Sequence, residues 1–449
     1  MSLAPGRSIA LAALRKSRAR DAWIRETVEA QSASAEATGP DAAFARRLAI
    51  GVTATRGTLD QAIDSHVPRP RDVAPAVRDA LRLGAFEMLF ENAEPRVAVH
   101  QGVEAVKAVQ EQAAGFANAV LRRIAEDAEA FPWGDPDSDV AALARATGHP
   151  EWLAGLLVEQ YGHDAARTIL DANNTAAPLY VAHNPFRGTR DALVEALLQD
   201  GAEPADCDVP GCLVCRKPAR AVRGRALAEG LAVVSDAAAQ LVARIASLSP
   251  EGDYLDVGAG RGTKTMLIQA ALNGHATVLA IDIHEFKIEV LSERMEHLGV
   301  PGVSGLVCDA LDAEAMRSAL PHGADVVLID APCSNVGTLR RHPEKRWALV
   351  PEDCSRLAEL GLRLLTTACG LVRTGGFVVY STCTILRREN EDVVESFLSS
   401  EQGSPFVPYG ADDRVPGSWA RFITDEGWFC SLPEAGGPDG HFAAVLARR

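Results

Sequence analysis

The sequence lacks a long apolar run near its start, where a signal peptide or a first membrane span would lie. The first short apolar stretch is interrupted by Arg15 and Lys16, so neither a secretory segment nor a span of about twenty apolar residues is present there. A disulfide framework is also missing, because the nine cysteines are an odd number and scattered along the chain. We therefore expect a cytoplasmic protein with reduced thiols and no membrane partner.

An excess of positive charge is missing as well. The formal net charge is −15, which argues against non-specific binding to nucleic acid, because phosphate contacts need clustered lysine and arginine. DNA is therefore not an expected partner, and any RNA-binding surface must be local. The candidates are one cluster at Arg216, Lys217, Arg220, Arg223 and Arg225, which we expect to form a loop, and a second at Arg340, Arg341, Lys345 and Arg346. A solvated charged face is an equally good interpretation of the first cluster.

The length of 449 residues suggests about two or three domains. Residues 5 to about 130 carry apolar positions at helical spacing, as in FARRLAIGVTATRGTLDQAI and VRDALRLGAFEMLF. The stretch EDAEAFPWGDPDSDV has the composition of a linker. We predict a helical domain over 1–135, a small α+β domain over 145–230, and a third domain over 231–449.

Apolar runs of strand length alternate with helical patterns in the last domain. The runs lie within DYLDVGAG, ATVLAIDI, GLVCDAL, DVVLIDAP and GFVVYSTC. Runs of this kind are typical of parallel strands that are buried on both faces. The predicted fold is α/β: a doubly wound, mostly parallel, Rossmann-like sheet, preceded by an all-α domain and a small α+β linking domain.

A nucleoside site is predicted where LDVGAGRGTKT joins a strand to a helix. A phosphate-binding P-loop needs glycine before its lysine, but Thr263 precedes Lys264, and the turn reads GxGxG rather than the dinucleotide pattern GxGxxG. Asp282 and Asp309 end the next two strands, where carboxylates can accept hydrogen bonds from a ribose and an adenine. This arrangement favours S-adenosylmethionine, although capping of the following helices is an alternative role for both acids.

Two strands end in cysteine, in VVLIDAPCS with Asp330 and Cys333, and in FVVYSTCT with Cys383. The carboxyl ends of such strands face the ligand crevice. Methylation at carbon 5 of cytosine needs a thiolate that first adds to carbon 6, with an acid near N3 as charge accumulates. Asp330 suits that task, and a second thiol can assist release. Spacing alone does not tell which cysteine attacks.

The segments DAPCSNVGTLRRHPEKRW and YSTCTILRRENEDVVESFL closely resemble the paired cysteine motifs of the RNA cytosine-5 methyltransferase family, especially its bacterial small-subunit rRNA enzymes of the Sun or RsmB type. HPEWLAGLLVEQYG, VSDAAAQLV and PDGHFAAVLAR extend the resemblance over nearly the whole chain. RLAIGVTATRGTLD, LRLGAFEMLF and GFANAVLRRI are similar to the NusB-like helical domain of these enzymes. The resemblance implies methyl transfer to RNA, most of all to small-subunit rRNA, with RNA binding by the NusB-like domain as a hypothesis.

The resemblance also implies residue roles. Cys383 attacks the cytosine and Cys333 helps release the product, while Asp330 contacts the base and cofactor and Lys264 lies at the active site. Asp282 and Asp309 bind the adenosine. The remaining cofactor contacts are expected from the glycine turn at Gly258, Ala259, Gly260, Arg261, Gly262, Thr263 and Lys264.

Some positions depart from the family pattern. The family's first motif has a cysteine, alanines, a proline and a double glycine where this chain has Gly258, Gly260, Arg261 and Thr263, and Ala182 and Ser235 replace an arginine and a glutamine. Two alternatives therefore stay open: a tRNA cytosine-5 methyltransferase, and an inactive RNA-binding assembly factor. No metal is expected, because Cys207, Cys212 and Cys215 lack a fourth ligand nearby, and a monomer is expected.

Overall fold

The computed structural model describes residues 3–449, and the contacts divide the chain into two units. The first unit runs to Asn174 and also takes in Leu339–Pro351. The second unit comprises Thr175–Thr338 and Glu352–Arg449. Within residues 3–449, each helix is too short or too polar to cross a membrane.

The first unit is helical. A stripe of apolar residues on each helix forms its core: in the helix Ala114–Asp127, for example, Ala117, Val120, Leu121 and Ile124 are buried, which is the spacing of one helix face. Proline stands in the first turn of several helices, where its missing N–H costs no hydrogen bond. The helices before Asn174 are α1 (Pro5–Arg20), α2 (Ile24–Ser34), α3 (Gly39–Ala54), α4 (Arg56–Asp64), α5 (Pro75–Leu89), α6 (Pro95–Lys107), α7 (Ala114–Asp127), α8 (Val140–Thr147), α9 (Glu151–Tyr161) and α10 (His163–Ala172).

The second unit begins with a small antiparallel sheet and its helices. The elements are β1 (Leu179–His183), α11 (Arg190–Gln199), β2 (Pro204–Asp206), β3 (Cys212–Cys215), α12 (Pro218–Arg223), α13 (Arg225–Ala228) and β4 (Ala232–Val234), and the strand order is β2-β3-β1-β4. The basic stretch at 216–225 was predicted as a loop. That prediction was wrong in part, because residues 218–223 and 225–228 form two short helices, with Ala221 and Ala226 buried and the five basic residues exposed.

A larger, mostly parallel sheet follows. Its elements are α14 (Ala237–Ala246), β5 (Asp253–Val257), α15 (Thr263–Ala271), β6 (Thr277–Asp282), α16 (Glu285–Leu298), β7 (Val303–Val307), α17 (Ala313–Ala319), β8 (Ala324–Asp330), α18 (Lys345–Ala348, in the first unit), α19 (Pro351–Ala368), β9 (Val372–Thr382), α20 (Glu391–Leu398), β10 (Phe406–Tyr409), β11 (Phe429–Ser431) and β12 (His441–Arg448). The strand order is β10-β12-β9-β8-β5-β6-β7, with β11 beside β12.

The order of this sheet places a crevice at its centre. Strands β6, β5, β8 and β9 pair in parallel, and the chain moves outward from β5 in one direction and then from β8 in the other. Ligands of open α/β sheets bind at such a reversal, outside the carboxyl ends of the strands. Apolar clusters cover both faces of the sheet. The predicted fold class, with a helical domain, a small linking domain and a mostly parallel sheet, is confirmed, whereas the exact domain boundaries stay predictions.

The segment Leu339–Pro351 is part of the helical unit. Within it, the guanidinium of Arg346 is fully buried and donates to the backbone oxygens of Ala54, Gly148 and Asn173 and to the side chain of Asn174, at 3.0 to 3.3 Å. Arg340 is also buried. The prediction that this second basic cluster is an RNA surface was therefore wrong for these two arginines, because their charges do not reach solvent.

Candidate active site

The glycine turn after β5 passes close to both neighbouring strands. The backbone N–H groups of Gly258 and Ala259 donate to the oxygen of Ile281 at 3.0 Å. A Cβ at Gly258 would lie 2.6 Å from the backbone oxygen of Asp330, and the φ angle of Gly258 is +77°. Glycine is required here because any side chain would clash and strain the backbone. The turn is thereby held between the ends of β6 and β8.

Asp282 ends β6 with its carboxylate beside the turn. It accepts hydrogen bonds from the backbone N–H of Gly260 at 3.2 Å, from the N–H and ring of His284, and from the ammonium of Lys287 at 3.2 Å. Burial alone would raise the pKa of Asp282, but the hydrogen bonds from His284 and Lys287 outweigh it and lower that pKa. The side chain is therefore a carboxylate at neutral pH.

A cavity of about 280 Å³ opens beside the turn at the strand ends. Four predicted site residues line it, namely Gly258, Asp282, Asp309 and Asp330. Apolar side chains that the sequence analysis did not identify also line the cavity, among them Ile283, Leu360 and Leu364. Ile283 could have been found from its place directly after a strand-end acid. The two leucines belong to α19, and no local pattern connects that helix with the turn.

Asp309 differs from Asp282 in its surroundings. Its strand ends at Val307, two residues earlier than the sequence analysis assumed, and Asp309 itself is exposed. Its carboxylate accepts a hydrogen bond from the backbone N–H of Leu311 at 2.9 Å. Asp309 therefore stabilises the local turn while it lines the cavity, and the alternative that it caps the following helix was wrong, because Asp312 caps α17.

Three residues of the turn have contacts away from the cavity. The oxygen of Arg261 and the hydroxyl of Thr263 both accept from Arg294 of α16, at 2.7 and 3.2 Å. A Cβ at Gly262 would lie 2.8 Å from Leu291 of the same helix. These contacts dock α16 against the turn. Cofactor contacts from Arg261, Gly262 and Thr263 stay predictions.

Asp256 lies inside β5 and is fully buried. Its carboxylate accepts from the hydroxyl of Thr265 at 2.6 Å, which ties β5 to α15. Burial, partly offset by that hydrogen bond, raises the pKa of Asp256 to about 6. This acid supports the turn from beneath rather than lining the cavity.

Lys264 and Asp330 form an ion pair across the strand ends, with Nζ and Oδ2 2.7 Å apart. Burial alone would lower the pKa of Lys264, but the charge and hydrogen bond of Asp330, together with the charge of Cys383, raise it. Lys264 is therefore an ammonium that lies close to one of the two cysteines. The other oxygen of Asp330 is 3.5 Å from the hydroxyl of Ser381.

The two cysteines meet because β8 and β9 pair in register. Asp330 pairs with Ser381, so the residues three and two positions further on leave the sheet side by side. The sulfur atoms of Cys333 and Cys383 are 3.2 Å apart, and the backbone N–H of Cys383 lies 3.3 Å from the sulfur of Cys333. The hydrogen bond to Cys383, together with burial, raises the pKa of Cys333 well above its usual range. Cys333 is therefore a thiol.

Two further residues beside the cysteines escaped the sequence analysis. The side-chain amide of Asn335 donates to the sulfur of Cys383 at 2.7 Å. The carboxylate of Glu389 accepts from the backbone N–H of Ser334 at 2.7 Å, and burial raises the pKa of Glu389 to about 7. Both residues follow a cysteine motif within a few positions, but the sequence does not show which way a polar side chain in such a loop points.

No group of three or more histidine, cysteine, aspartate or glutamate side chains within residues 3–449 is arranged to hold a metal ion. In the CxxC segment, Cys212 is buried and its sulfur accepts a hydrogen bond from Gln240 at 3.3 Å. Cys212 and Cys215 are both buried, but they lie on opposite faces of β3 and belong to different apolar clusters.

Comparison with protein families assigns three parts of the chain. Residues 5–126 match the NusB family, residues 149–222 match the ferredoxin-like domain of RsmF/B-like methyltransferases, and residues 244–447 match the family described as 16S rRNA methyltransferase RsmB/F. The NusB match bears out the predicted resemblance of the helical domain.

Individual proteins give the same picture. The chain is 30% identical over 99% of its length to the Bacillus subtilis (strain 168) protein named "Probable ribosomal RNA small subunit methyltransferase B", covering 98% of that protein. It is 28% identical over 91% of each chain to ribosomal RNA small subunit methyltransferase B of Pseudomonas putida.

Two solved structures share the fold. The crystal structure of PH0851 aligns with a TM-score of 0.80 at 22% identity, covering 99% of both chains. NSun6 from Pyrococcus horikoshii with SFG aligns with a TM-score of 0.57 at 17% identity, covering 67% of this chain and 98% of that one. With its strand-end cysteines, glycine turn and full-length relatives, this chain belongs to the RsmB/F family of 16S rRNA methyltransferases.

Proposed function

We propose that this chain transfers a methyl group from S-adenosylmethionine to carbon 5 of a cytosine in small-subunit rRNA, through a covalent bond between Cys383 and the base. The observation that carries the proposal is the pair of sulfur atoms 3.2 Å apart at the ends of β8 and β9. An ammonium and a carboxylate lie beside them, and the cavity by the glycine turn adjoins Asp330.

The cavity residues fit S-adenosylmethionine. Asp282 is a carboxylate that can accept hydrogen bonds from both hydroxyls of a ribose. These would replace its hydrogen bonds with the ring of His284 and the ammonium of Lys287, which approach it from the solvent side. Ile283 and Leu360 offer apolar surface to an adenine. The cofactor supplies an electrophilic methyl group when bound.

The surroundings of the two sulfur atoms support Cys383 as the nucleophile. Cys333 holds its proton and can donate it in a hydrogen bond to Cys383, and the ammonium of Lys264 lies near Cys383 as well. A thiolate is the reactive form of cysteine, and hydrogen bonds together with a nearby cation favour it. Sequence spacing left this choice open, and the family resemblance pointed to the same cysteine.

The residues then perform the reaction in order. The sulfur of Cys383 bonds to carbon 6, and charge moves onto N3 and the carbonyl oxygen at carbon 2, where the ammonium of Lys264, held by the carboxylate of Asp330, can donate hydrogen bonds. Carbon 5 becomes an enamine carbon whose electron pair can form the bond to the methyl group, and the electrons of the broken carbon–sulfur bond would stay on the sulfur of the cofactor. The proton on carbon 5 then leaves to a base, its electron pair restores the double bond to carbon 6, and Cys383 departs as a thiolate that Cys333 stabilises by its hydrogen bond.

Five exposed basic residues form a candidate surface for RNA binding. They lie just before α12, on α12 and at the start of α13, and are Arg216, Lys217, Arg220, Arg223 and Arg225. Clustered guanidinium groups bind phosphates and position the nucleic acid without reading its sequence. In this proposal a single chain acts on RNA, not DNA, in the cytoplasm, and the NusB-like helical unit contributes to RNA binding.

The test is transfer of labelled methyl from S-adenosylmethionine to unmodified small-subunit rRNA, followed by nucleoside analysis for 5-methylcytidine. Cys383→Ala should abolish transfer, whereas Cys333→Ala should still attack and accumulate a protein-RNA adduct on a denaturing gel. Cys430→Ala, at a similarly half-buried cysteine, serves as the matched control and should remain active. An active Cys383→Ala enzyme contradicts the proposal. Label in tRNA alone would show that the substrate is tRNA and not rRNA. No label in either RNA would favour an inactive assembly factor.

A further inference from the structure

Asn335 lies in the loop between the cysteine motif of β8 and the segment that enters the helical unit. Its φ angle is +60°, a conformation that asparagine and glycine adopt more readily than other residues. The loop is held on both sides of it. The N–H of Ser334 donates to Glu389 at 2.7 Å, and the N–H of Gly337 donates to the oxygen of Cys383 at 3.2 Å. The backbone oxygen of Asn335 accepts from the N–H of Thr338 at 2.9 Å.

These contacts point the side chain of Asn335 at a reacting atom. Its Nδ2 lies 2.7 Å from the sulfur of Cys383, and an amide nitrogen can only donate. The sulfur of Cys383 is therefore an acceptor in this contact. The thiol of Cys333, 3.2 Å away, is a second donor to the same sulfur. Two donors that converge on one sulfur favour its thiolate form, because hydrogen bonds to an ionised acceptor are stronger than those to a neutral one.

We propose that Asn335 stabilises the thiolate of Cys383 and so sets the pH range in which this cysteine can attack the base. This inference rests on the proposed function only for its catalytic consequence, since the thiolate itself can be measured without RNA. The alternative is that Asn335 stands here because the turn needs a residue with positive φ. Glycine also meets that need, so Asn335→Gly removes the amide without straining the backbone.

The experiment is the rate of alkylation of Cys383 by iodoacetamide between pH 5.5 and 10 in the full-length protein, with each cysteine read separately by peptide mass spectrometry. In Asn335→Gly the pH midpoint of Cys383 alkylation should rise by about one to two pH units relative to wild type. At pH values below the midpoints of both proteins, Cys383 in the variant should react about 10- to 100-fold more slowly. Asn335→Asp, which keeps the shape but brings a negative charge to the sulfur, should move the midpoint at least as far. Cys430 in the same samples should keep its profile.

Catalysis gives the second readout. With rRNA as substrate, Asn335→Gly should lower kcat while the KM for RNA stays unchanged, and the deficit should shrink as the pH rises past the new midpoint. Thermal unfolding should show the variant folded.

A pH midpoint of Cys383 alkylation in Asn335→Gly that coincides with that of wild type would overturn the proposal and leave Asn335 as a turn residue. This failure is distinct from that of the proposed function. If Cys383→Ala still methylates RNA, the covalent mechanism is refuted, whereas the alkylation shift, measured in proteins that keep Cys383, still stands.

Discussion

Replacing Glu389 by glutamine should change how the stability of the protein depends on pH. The carboxylate of Glu389 is 1% exposed, and burial raises its pKa from 4.5 to about 7. An acid whose pKa is raised on folding stabilises the fold while it is protonated, and that stability is lost as the pH rises from the unfolded value through the folded one. The window is therefore about pH 4.5 to 7.

The magnitude follows from the same shift. One pKa unit corresponds to 1.36 kcal/mol, so ionisation of Glu389 costs about 3 kcal/mol above pH 7. Glutamine cannot ionise, and its side-chain oxygen can still accept the N–H of Ser334. Glu389→Gln should thus match wild type near pH 4.5 and exceed it in stability by about 2–3 kcal/mol near pH 8.

The assay is the difference in Tm between variant and wild type at each pH from 4.5 to 8.5, because a chain of two units need not unfold in one step. For a protein of this size the difference should grow by several degrees across the window. Glu401→Gln, at an exposed glutamate, is the control and should show a flat difference. A flat difference for Glu389→Gln as well would refute the argument that this carboxyl is buried without compensation.

Three further variants test the turn, the ion pair and the buried arginine. Gly258→Ala should weaken S-adenosylmethionine binding at least tenfold by calorimetry, because its Cβ would lie 2.6 Å from the oxygen of Asp330; unchanged affinity would show that the turn can shift. Lys264→Met should lower kcat by about 100-fold with the protein still folded, and an unchanged kcat would remove Lys264 from the mechanism. Arg346→Met should lower the free energy of unfolding by about 3–5 kcal/mol, since four acceptors lose their donor. Thermal unfolding measures this change, and a Tm like that of wild type would contradict the prediction.

The fold was predictable from the sequence because its strands are buried on both faces. Runs such as DVVLIDAP and GFVVYSTC leave no alternating pattern, and the structure has β8 and β9 at those positions. Parallel strands bring their carboxyl ends to one edge, so the proximity of Asp282, Asp330 and Cys383 to one crevice could be inferred without coordinates. The basic stretch at 216–225 was misread as a loop because arginines and lysine mask two buried alanines.

Contacts that depend on loops and on packing between distant segments could not be predicted. Arg346 belongs to a run of basic residues that is typical of a solvated face, yet backbone oxygens from α3, from the end of α8 and from the end of α10 surround its guanidinium. Leu360 reaches the cavity only because α19 packs there. In each case the sequence specifies the residue, but the partner lies tens to hundreds of positions away.

The assignment of the two thiols shows why chemical roles need the structure. Cys333 and Cys383 both lie just beyond the ends of parallel strands, so their spacing in the sequence does not separate them. What separates them is where donors and charges converge. The amide of Asn335 and the ammonium of Lys264 lie near Cys383, whereas Glu389 lies near Cys333 and helps raise its pKa. The proton therefore stays on Cys333, which supports the proposal that Cys383 is the nucleophile.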